Sequence, residues 1–133
     1  AKGTIGTTGA DGATGATGAT GPAGPAGSDS HSVVAYAASV TLDFDHADNF
    51  HTITLAGNIT FSSSNLASMR EKIVRVIGDG SNRTLNFDTD WVFVGDQVSA
   101  GSVVLLANKT AIFSLKAFGA ADTDVIGAYA VQP

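Results

Sequence analysis

The residues best able to bind a metal ion are gathered in one short segment, DFDHADNFH at 43–51. It contains three aspartates and two histidines: Asp43, Asp45, His46, Asp48 and His51. Carboxylates favour calcium, whereas imidazoles favour a transition metal. The calcium-loop pattern fails, because the segment has no Asp at 47, no Gly at 48 and no closing Glu. We interpret the segment as a polar connection between two strands and predict no metal or cofactor. Three copies of His46 or His51 meeting on a trimer axis would favour a bound metal.

Carboxylates could also serve glycoside hydrolysis, which generally needs two of them across a cleft. Glu71 is the only glutamate, and the aspartates cluster in predicted turns, such as Asp88 with Asp90. The sequence contains neither a nucleophile elbow nor a phosphate-binding loop. Since there is no cysteine, disulfides and thiolate metal sites are excluded. The sequence therefore predicts no catalytic residue and no enzymatic activity.

Composition narrows the possible partners. The net charge is −5, and no stripe of Lys and Arg offers phosphate contacts, so we predict no nucleic-acid binding. No apolar run is long enough to span a bilayer, and no signal peptide is recognised, so we predict no membrane insertion. Because Ala1 already lies within a repeat, we expect a longer parent protein, a processed form or a trimmed chain.

That repeat places a glycine at every third position of residues 1–27. Nine glycines keep this register: Gly3, Gly6, Gly9, Gly12, Gly15, Gly18, Gly21, Gly24 and Gly27. A strict period of three is typical of the collagen triple helix, in which only glycine fits at the axis. Pro22 and Pro25 are the only imino acids of the repeat, which is few for collagen. The sequence predicts a collagen-like stem over 1–27 that needs a trimerising domain to hold its three chains in register.

Residues 28–32 are predicted to form a polar hinge and 33–133 a single β-rich head. Short runs of β-branched and aromatic residues alternate with turn residues, as in 50–56, where Ile53 and Leu55 alternate with threonines. Only 62–72 has any helical character, and we expect a single turn or an irregular loop there. Eight to ten short strands predict an all-β antiparallel sandwich of jelly-roll type.

Several of these predicted strands are apolar on both faces, including 72–77, 102–107 and 125–132. A small sandwich normally buries one face of each sheet and leaves the other in water. A second apolar face therefore indicates that neighbouring protomers cover it. The sequence predicts a homotrimer assembled through the head.

The head resembles a recurring phage domain in three runs: 42–66, 78–95 and 105–130. They contain L-x-G-N-x-T-F, D-G-S-x-R-T-L-x-F-x-x-x-W and V-I-x-A-Y, in that order. These pieces are similar to the small C-terminal β-rich domains of tail-fibre and virion-surface proteins of tailed bacteriophages, several of which carry collagen-like stems. The family usually has a glycine-bearing turn where this chain has Ser68–Glu71. The resemblance implies a fold and a virion setting, but no catalytic or receptor residues.

Together these observations predict a non-enzymatic virion spike or fibre, extracellular on the virion surface, whose head binds a host glycan or protein. The candidate surface loops are 78–82 and 119–124, through Asp79, Ser81, Asn82, Asp122 and Asp124. One alternative is a capsid decoration or docking spike that contacts other virion proteins. Another is a secreted collagen-plus-jelly-roll protein like the complement-related family, although the last strand lacks that family's second aromatic.

Three glycosylation sequons begin at Asn58, Asn82 and Asn108. In each, the asparagine falls in a predicted turn and the threonine opens a strand. Turn and strand preferences produce that pattern without a glycan. We interpret the sequons as turn chemistry.

Overall fold

The computed structural model describes residues 3, 6–22 and 30–133, and the last of these ranges forms two β-sheets packed face to face. The ten strands are β1 (Ser30–Val34), β2 (Ser39–Asp43), β3 (Asp48–Thr54), β4 (Ile59–Ser64), β5 (Arg70–Ile77), β6 (Arg83–Asn86), β7 (Val92–Val94), β8 (Ser102–Leu105), β9 (Thr110–Ala117) and β10 (Val125–Val131). One 3₁₀ turn, Asp122–Asp124, is the sole helical element in this described part of the chain.

The chain alternates between the sheets from β1 to β8. Up to β8, odd-numbered strands enter one sheet and even-numbered strands the other, and β9 and β10 then both join the sheet of the odd-numbered strands. The result is a six-stranded sheet of order β1-β3-β5-β9-β10-β7 and a four-stranded sheet of order β2-β4-β6-β8. Each strand from β1 to β4 therefore pairs in parallel with the strand two places further along. The later pairs β5–β9, β9–β10 and β6–β8 are antiparallel.

The prediction of an antiparallel jelly roll was wrong, since both sheets are mixed. The turn residues between strands indicate where the chain reverses, but they do not say whether the next strand joins the same sheet or the opposite one. Here each connection from β1 to β9 leads to the opposite sheet, which makes the early pairs parallel. A two-layer all-β head remains compatible with the structure. The alternative of a collagen-plus-jelly-roll protein loses the fold on which it depended.

The prediction of a triple-helical stem was also wrong. Residues 6–22 form no regular element and are exposed. No atom lies within 4 Å of the place a Cβ would take at Gly3, Gly6, Gly9, Gly12, Gly15, Gly18 or Gly21. The described part of the repeat thus contains no regular stem, and the regular structure of the described residues is confined to the β-sheets of 30–133. A period of three was insufficient evidence in a repeat so poor in proline. Gly24 and Gly27, the remaining expected axial positions, lie outside the described residues.

The core lies between the sheets and is built by strict alternation along the strands. In β9, Ala111, Phe113 and Leu115 are fully buried, and the residues between them face outward. An aromatic cluster fills the centre, where Phe61 packs edge-on against Phe113 with ring centroids 4.8 Å apart. Phe87 lies 5.8 Å from Phe61 and 5.0 Å from Phe113.

The connection between β4 and β5 is an irregular loop over 65–69. The sequence predicted a turn or irregular loop over the whole of 62–72, but 62–64 belong to β4 and 70–72 to β5. Met69 lies in it with a φ of 67°, and its amide donates to the carbonyl of Ala117. A left-handed conformation favours glycine because a Cβ is strained there. Met69 thus occupies the loop for which the phage-domain resemblance implies a glycine-bearing turn.

The parallel strands define two ends of the sandwich. We call the end where β1, β3 and β5 begin the proximal end, and the end where they finish the distal end. The connections 44–47, 65–69, 87–91 and 118–124 lie at the proximal end. The connections 35–38, 55–58, 78–82 and 106–109 lie at the distal end. β1 starts at Ser30, inside the segment 28–32 for which a hinge was predicted.

Gly127 is required by close packing between β9, β10 and β7. A Cβ there would lie 2.8 Å from Cε1 of Phe93 and 2.9 Å from Cδ2 of Leu115. We expect Gly127→Ala to lower the free energy of unfolding by about 1–3 kcal/mol through overpacking, as measured by urea denaturation. Gly80→Ala is the control, since no atom lies within 4 Å of its Cβ position. Equal stability of the two variants would contradict the prediction.

Candidate functional site

The distal connections are joined to one another by side-chain hydrogen bonds. The hydroxyl of Tyr36 donates to the carbonyl of Asn58 at 2.8 Å. Oδ1 of Asn58 accepts from the amide of Thr84, and Oδ1 of Asn82 accepts from the amide of Ala107, each at 2.9 Å. We call the loops 35–38, 55–58, 78–82 and 106–109 the distal rim. Bonds across successive loops make this surface preorganised.

An ion pair holds the loop 78–82 within this rim. Nε of Arg83 lies 2.9 Å and 3.1 Å from the two carboxylate oxygens of Asp79, and its Nη2 lies 2.5 Å from Oδ2. This hydrogen-bonded guanidinium lowers the pKa of Asp79. Asp79 also accepts from the amide of Ser81 through its carboxylate and from that of Asn108 through its carbonyl. Asp79 thus shapes the loop, while Ser81 is exposed.

The second predicted loop lies at the proximal end, so the structure does not bring the two loops together. Oδ1 of Asp122 accepts from the hydroxyl of Ser63 and, at 3.4 Å, from Nε1 of Trp91. Oδ2 of Asp124 accepts from the amide of Ala121 at 3.1 Å. Asp122 thus fastens the 3₁₀ turn to β4 and to the 87–91 connection, while Asp124 closes the turn on itself.

The segment 43–51 borders a hollow of about 260 Å³ between the edge strands β1 and β2. Its polar lining includes Ser32, Asp43, His46, Asp48 and His51. Asp45 instead contacts Arg70, with 3.3 Å between Oδ1 and Nη2. Within residues 3, 6–22 and 30–133, no group of three His, Cys, Asp or Glu side chains could hold a metal ion.

Lys72 supplies a cation beside this segment. Its side chain is 0% exposed, and Nζ donates to the carbonyl of His46 at 3.0 Å and to that of Asp48. Burial lowers the pKa of Lys72, while Asp43 and Asp48 oppose that shift. The sequence analysis did not single out Lys72. Its position two residues before Val74 and four before Val76, both inward-facing, places it on the core side of β5 and could have revealed it.

Ser32 and His51 form a hydrogen bond in the same hollow, with 2.7 Å between Oγ and Nδ1. The residues are register partners on β1 and β3. A serine activated by a histidine can attack an acyl group only where donors stabilise the developing oxyanion. The carboxylates of Asp43 and Asp48 line this hollow and would oppose that charge. The observed hydrogen bond joins β1 to β3.

The lowered pKa of His51 predicts a pH dependence. Its main cause is burial, followed by the charge of Lys72; Asp48 opposes the shift, and His46 adds to it. Between this lowered pKa and the ordinary value of 6.5, the unfolded chain binds more protons than the folded one. The contribution of His51 to the free energy of unfolding therefore decreases as the pH falls through that window.

We expect the loss of stability between about pH 7.5 and about pH 5 to be smaller in His51→Gln than in the natural chain. Urea denaturation of both proteins at the two pH values measures this difference, and glutamine can still bond to Ser32. A loss of equal size in both proteins would contradict the assignment to His51.

The two outer sheet faces differ in chemistry. On the six-stranded sheet, the outward positions carry an apolar set that reaches from one edge to the other and is exposed except at the half-buried Ile73. This apolar face consists of Val33, Phe50, Ile73, Val92, Val94, Ile112, Ile126, Ala128 and Ala130. Val33 and Val94, near the two edges, are 77% and 70% exposed. Arg75, Lys116 and Glu71 are the charged residues of β5 and β9 that share this face.

On the four-stranded sheet, the outward positions are mostly hydroxyl and amide side chains. This hydroxyl face consists of Ser39, Thr41, Thr60, Ser62, Ser64, Thr84, Asn86, Ser102 and Val104. Thr41 and Ser62 form a cross-strand hydrogen bond of 3.0 Å. A face of this kind is readily solvated. Of the two outer faces, the apolar face is therefore the one that we expect a partner to cover.

Comparisons with protein-family models, curated proteins and solved structures find no match to this chain. Among the residues described, none belongs to a helix long and apolar enough to cross a membrane.

Proposed function

We propose that this chain is a non-enzymatic, trimeric surface protein of a tailed phage, a spike or fibre whose head attaches to the host surface. The distal rim is the attachment surface, with Ser81 and Asn82 among its exposed residues. The proposal rests on the observation that the head has two chemically different surfaces in different places. One sheet has an apolar outer face suited to assembly, and a separate, preorganised polar rim lies at the distal end.

The rim has the chemistry to contact a glycan or a polar protein surface. It presents Asn58, Ser81, Asn82 and Asn108 as exposed polar side chains. Because its loops are bonded to one another, little conformational entropy is lost when a ligand orders them. Three weak sites on one trimer would also gain avidity, so a deep pocket is unnecessary.

The test is binding of the fluorescently labelled full chain to a panel of whole bacterial cells and to a glycan array. Ser81→Arg places a large side chain on the rim without removing any side-chain bond of Asp79 or Asn82. Its matched control is Thr123→Arg, an exposed position in the proximal turn. We expect Ser81→Arg to weaken binding at least about tenfold, because a bulky cation would disrupt a polar contact surface, and Thr123→Arg to leave it unchanged.

If Thr123→Arg weakened binding and Ser81→Arg did not, the attachment surface would lie at the proximal end, and the proposed role of the rim would be contradicted. If the natural chain binds neither cells nor glycans, host attachment is refuted. The alternative role, a capsid decoration or docking spike, is favoured in that case, because the apolar face offers a surface for other virion proteins.

A further inference from the structure

The side of the head formed by β1 and β2 is an open edge of both sheets. Each of these strands is the first of its sheet and has no neighbour on its outer side in the described part of the chain. At the two ends of β2, the amide of Phe44 donates to the carbonyl of Ser64, and the carbonyl of Ala38 also bonds to β4. Backbone groups alternate in direction along a strand, so those of Ser39 and Thr41 point away from the sheet. These groups are available to an extended chain lying alongside β2.

The core is incompletely covered at this edge. One row of register partners crosses the inner side of the six-stranded sheet: Val34, Ile53, Val76 and Ala111. The last three are 0% exposed, whereas Val34, on the edge strand, is only half-buried. The hollow of about 260 Å³ between β1 and β2 lies against Val34 and Val40. An inward side chain of a strand added beside β2 would enter this hollow and cover apolar surface that now contacts water.

The hollow changes in chemistry along the edge. Val34 ends β1 and Val40 lies near the start of β2, so both valines are toward the distal end. Asp43 ends β2 and Asp48 begins β3, so these two carboxylates line the hollow at the proximal end. Side chains two positions apart on a strand point the same way and stand about 6.6 Å apart. A strand beside β2 therefore fits the hollow when it carries an apolar side chain and, two positions nearer the proximal end, a basic one.

Charge complementarity is the reason for the basic side chain. Three carboxylates lie at the proximal end of this edge, those of Asp43, Asp45 and Asp48. Two cations lie beside them: Lys72, which is fully buried, and Arg70, which contacts Asp45. The carboxylates outnumber these cations, so the edge attracts a positively charged partner.

The same charge disfavours the other possible occupants. A second copy that paired through this edge would set its own carboxylates against those of the first, and each chain carries a net charge of −5. The glycine-rich repeat of the chain itself is also a poor candidate. Glycine occurs at every third position of 6–22, and it is depleted in strands. A strand from another, basic protein fits the edge better than either.

We infer that the free edge of β2 binds an extended segment of a partner protein, which adds to the four-stranded sheet as a fifth strand. The backbone groups of Ser39 and Thr41 form the main-chain hydrogen bonds, and the hollow accepts one apolar and one basic side chain. In strand addition of this kind, main-chain bonds give affinity, and pockets for alternate side chains give specificity. The site is separate from the distal rim, and the inference does not depend on host attachment.

Isothermal titration of the full chain with two synthetic peptides tests the inference. The basic peptide is Thr-Lys-Thr-Val-Thr-Lys-Thr, whose valine has a lysine two positions away on each side, so that it fits in either strand direction. The acidic peptide has glutamate in place of both lysines. We expect the basic peptide to bind at least about tenfold more tightly at low salt, because the carboxylates of the edge repel the acidic one.

A proline substitution locates the binding site. Thr41→Pro removes an outward amide from β2, and edge strands tolerate proline. Its matched control is Val104→Pro on β8, the opposite edge of the same sheet. Val104 pairs with Thr84, whose amide bonds to Asn58 rather than to β8, so the amide of Val104 also points outward. Thr41→Pro should weaken binding of the basic peptide at least about tenfold, whereas Val104→Pro should leave it unchanged.

A lysine substitution decides the question if circular dichroism shows that the proline variant does not fold. Thr41 lines the hollow, so Thr41→Lys adds a cation there and should also weaken binding of the basic peptide at least about tenfold. Val104→Lys is its matched control and should bind like the natural chain.

The inference is overturned if neither peptide binds, if both bind equally, or if the folded variants at Thr41 bind the basic peptide as well as the natural chain does. Light scattering without peptide tests the alternative occupant. If the natural chain forms larger assemblies than the Thr41→Pro chain, the edge is occupied by a second copy, and the assignment to a basic partner is overturned. Assemblies of equal size support the assignment.

Discussion

Phe61→Ala should lower the free energy of unfolding by about 3–5 kcal/mol, which would be the largest loss from a single truncation of the core. Phe61 is 1% exposed and packs against both Phe87 and Phe113, so its removal leaves a cavity that these two remaining rings cannot easily close. A domain of this size has a total stability of about 5–15 kcal/mol. The variant should therefore be partly unfolded at moderate temperature, as followed by urea denaturation.

The neighbouring position provides the control for this loss. Thr60 precedes Phe61 on β4, faces outward and is exposed. Thr60→Ala should stay within about 0.5 kcal/mol of the natural chain, because surface substitutions usually have small effects. Similar losses in both variants would mean that the sheets are packed differently.

Lys72→Met should cost about 2–4 kcal/mol even though it replaces a buried charge with an apolar side chain of similar length. The carbonyls of His46 and Asp48 would each lose a donor, and the acidic segment 43–51 would lose its nearest buried cation. These losses outweigh the relief of no longer burying an ammonium, because Lys72 is fully buried and each of the two carbonyls loses a charged donor.

Lys109→Met is the matched control, since the Lys109 side chain makes no hydrogen bond or ion pair with the described residues. It should be nearly neutral when both variants are unfolded in urea at neutral pH. If Lys72→Met instead stabilised the head, the lysine would be present for a reason other than folding.

The local sequence pattern predicted the positions of the strands well, but it did not predict how the strands pair. The alternation of Ile53 and Leu55 with threonines places β3 correctly, and the turn residues of 78–82 mark the reversal between β5 and β6. Neither signal says which sheet the next strand joins, because that choice depends on contacts between residues far apart in sequence. The antiparallel jelly roll failed for that reason. The expectation of strands with a second apolar face agrees with the outer face of the six-stranded sheet, whose covering remains a proposal.

The candidate site was less predictable than the strands. Asp79 and Asn82 were selected as exposed turn residues, but both have structural partners that become visible only once the neighbouring loop is in place. The same bonds give a physical reason for the turn asparagines of two sequons, since Asn58 and Asn82 accept from the next strand or loop.

The alternation of the chain between sheets has a consequence for how such a head can change size. The pairs β1–β2, β3–β4 and β5–β6 form successive coils that contact mainly their neighbours, as in a short solenoid. Each coil contributes one loop to the distal rim, and Asn58 and Asn82 each bond to the strand or loop that follows. Insertion or deletion of a whole coil would widen or narrow the rim by about 4.8 Å without redesigning the rest. A contact surface built this way can become wider or narrower by one whole loop at a time.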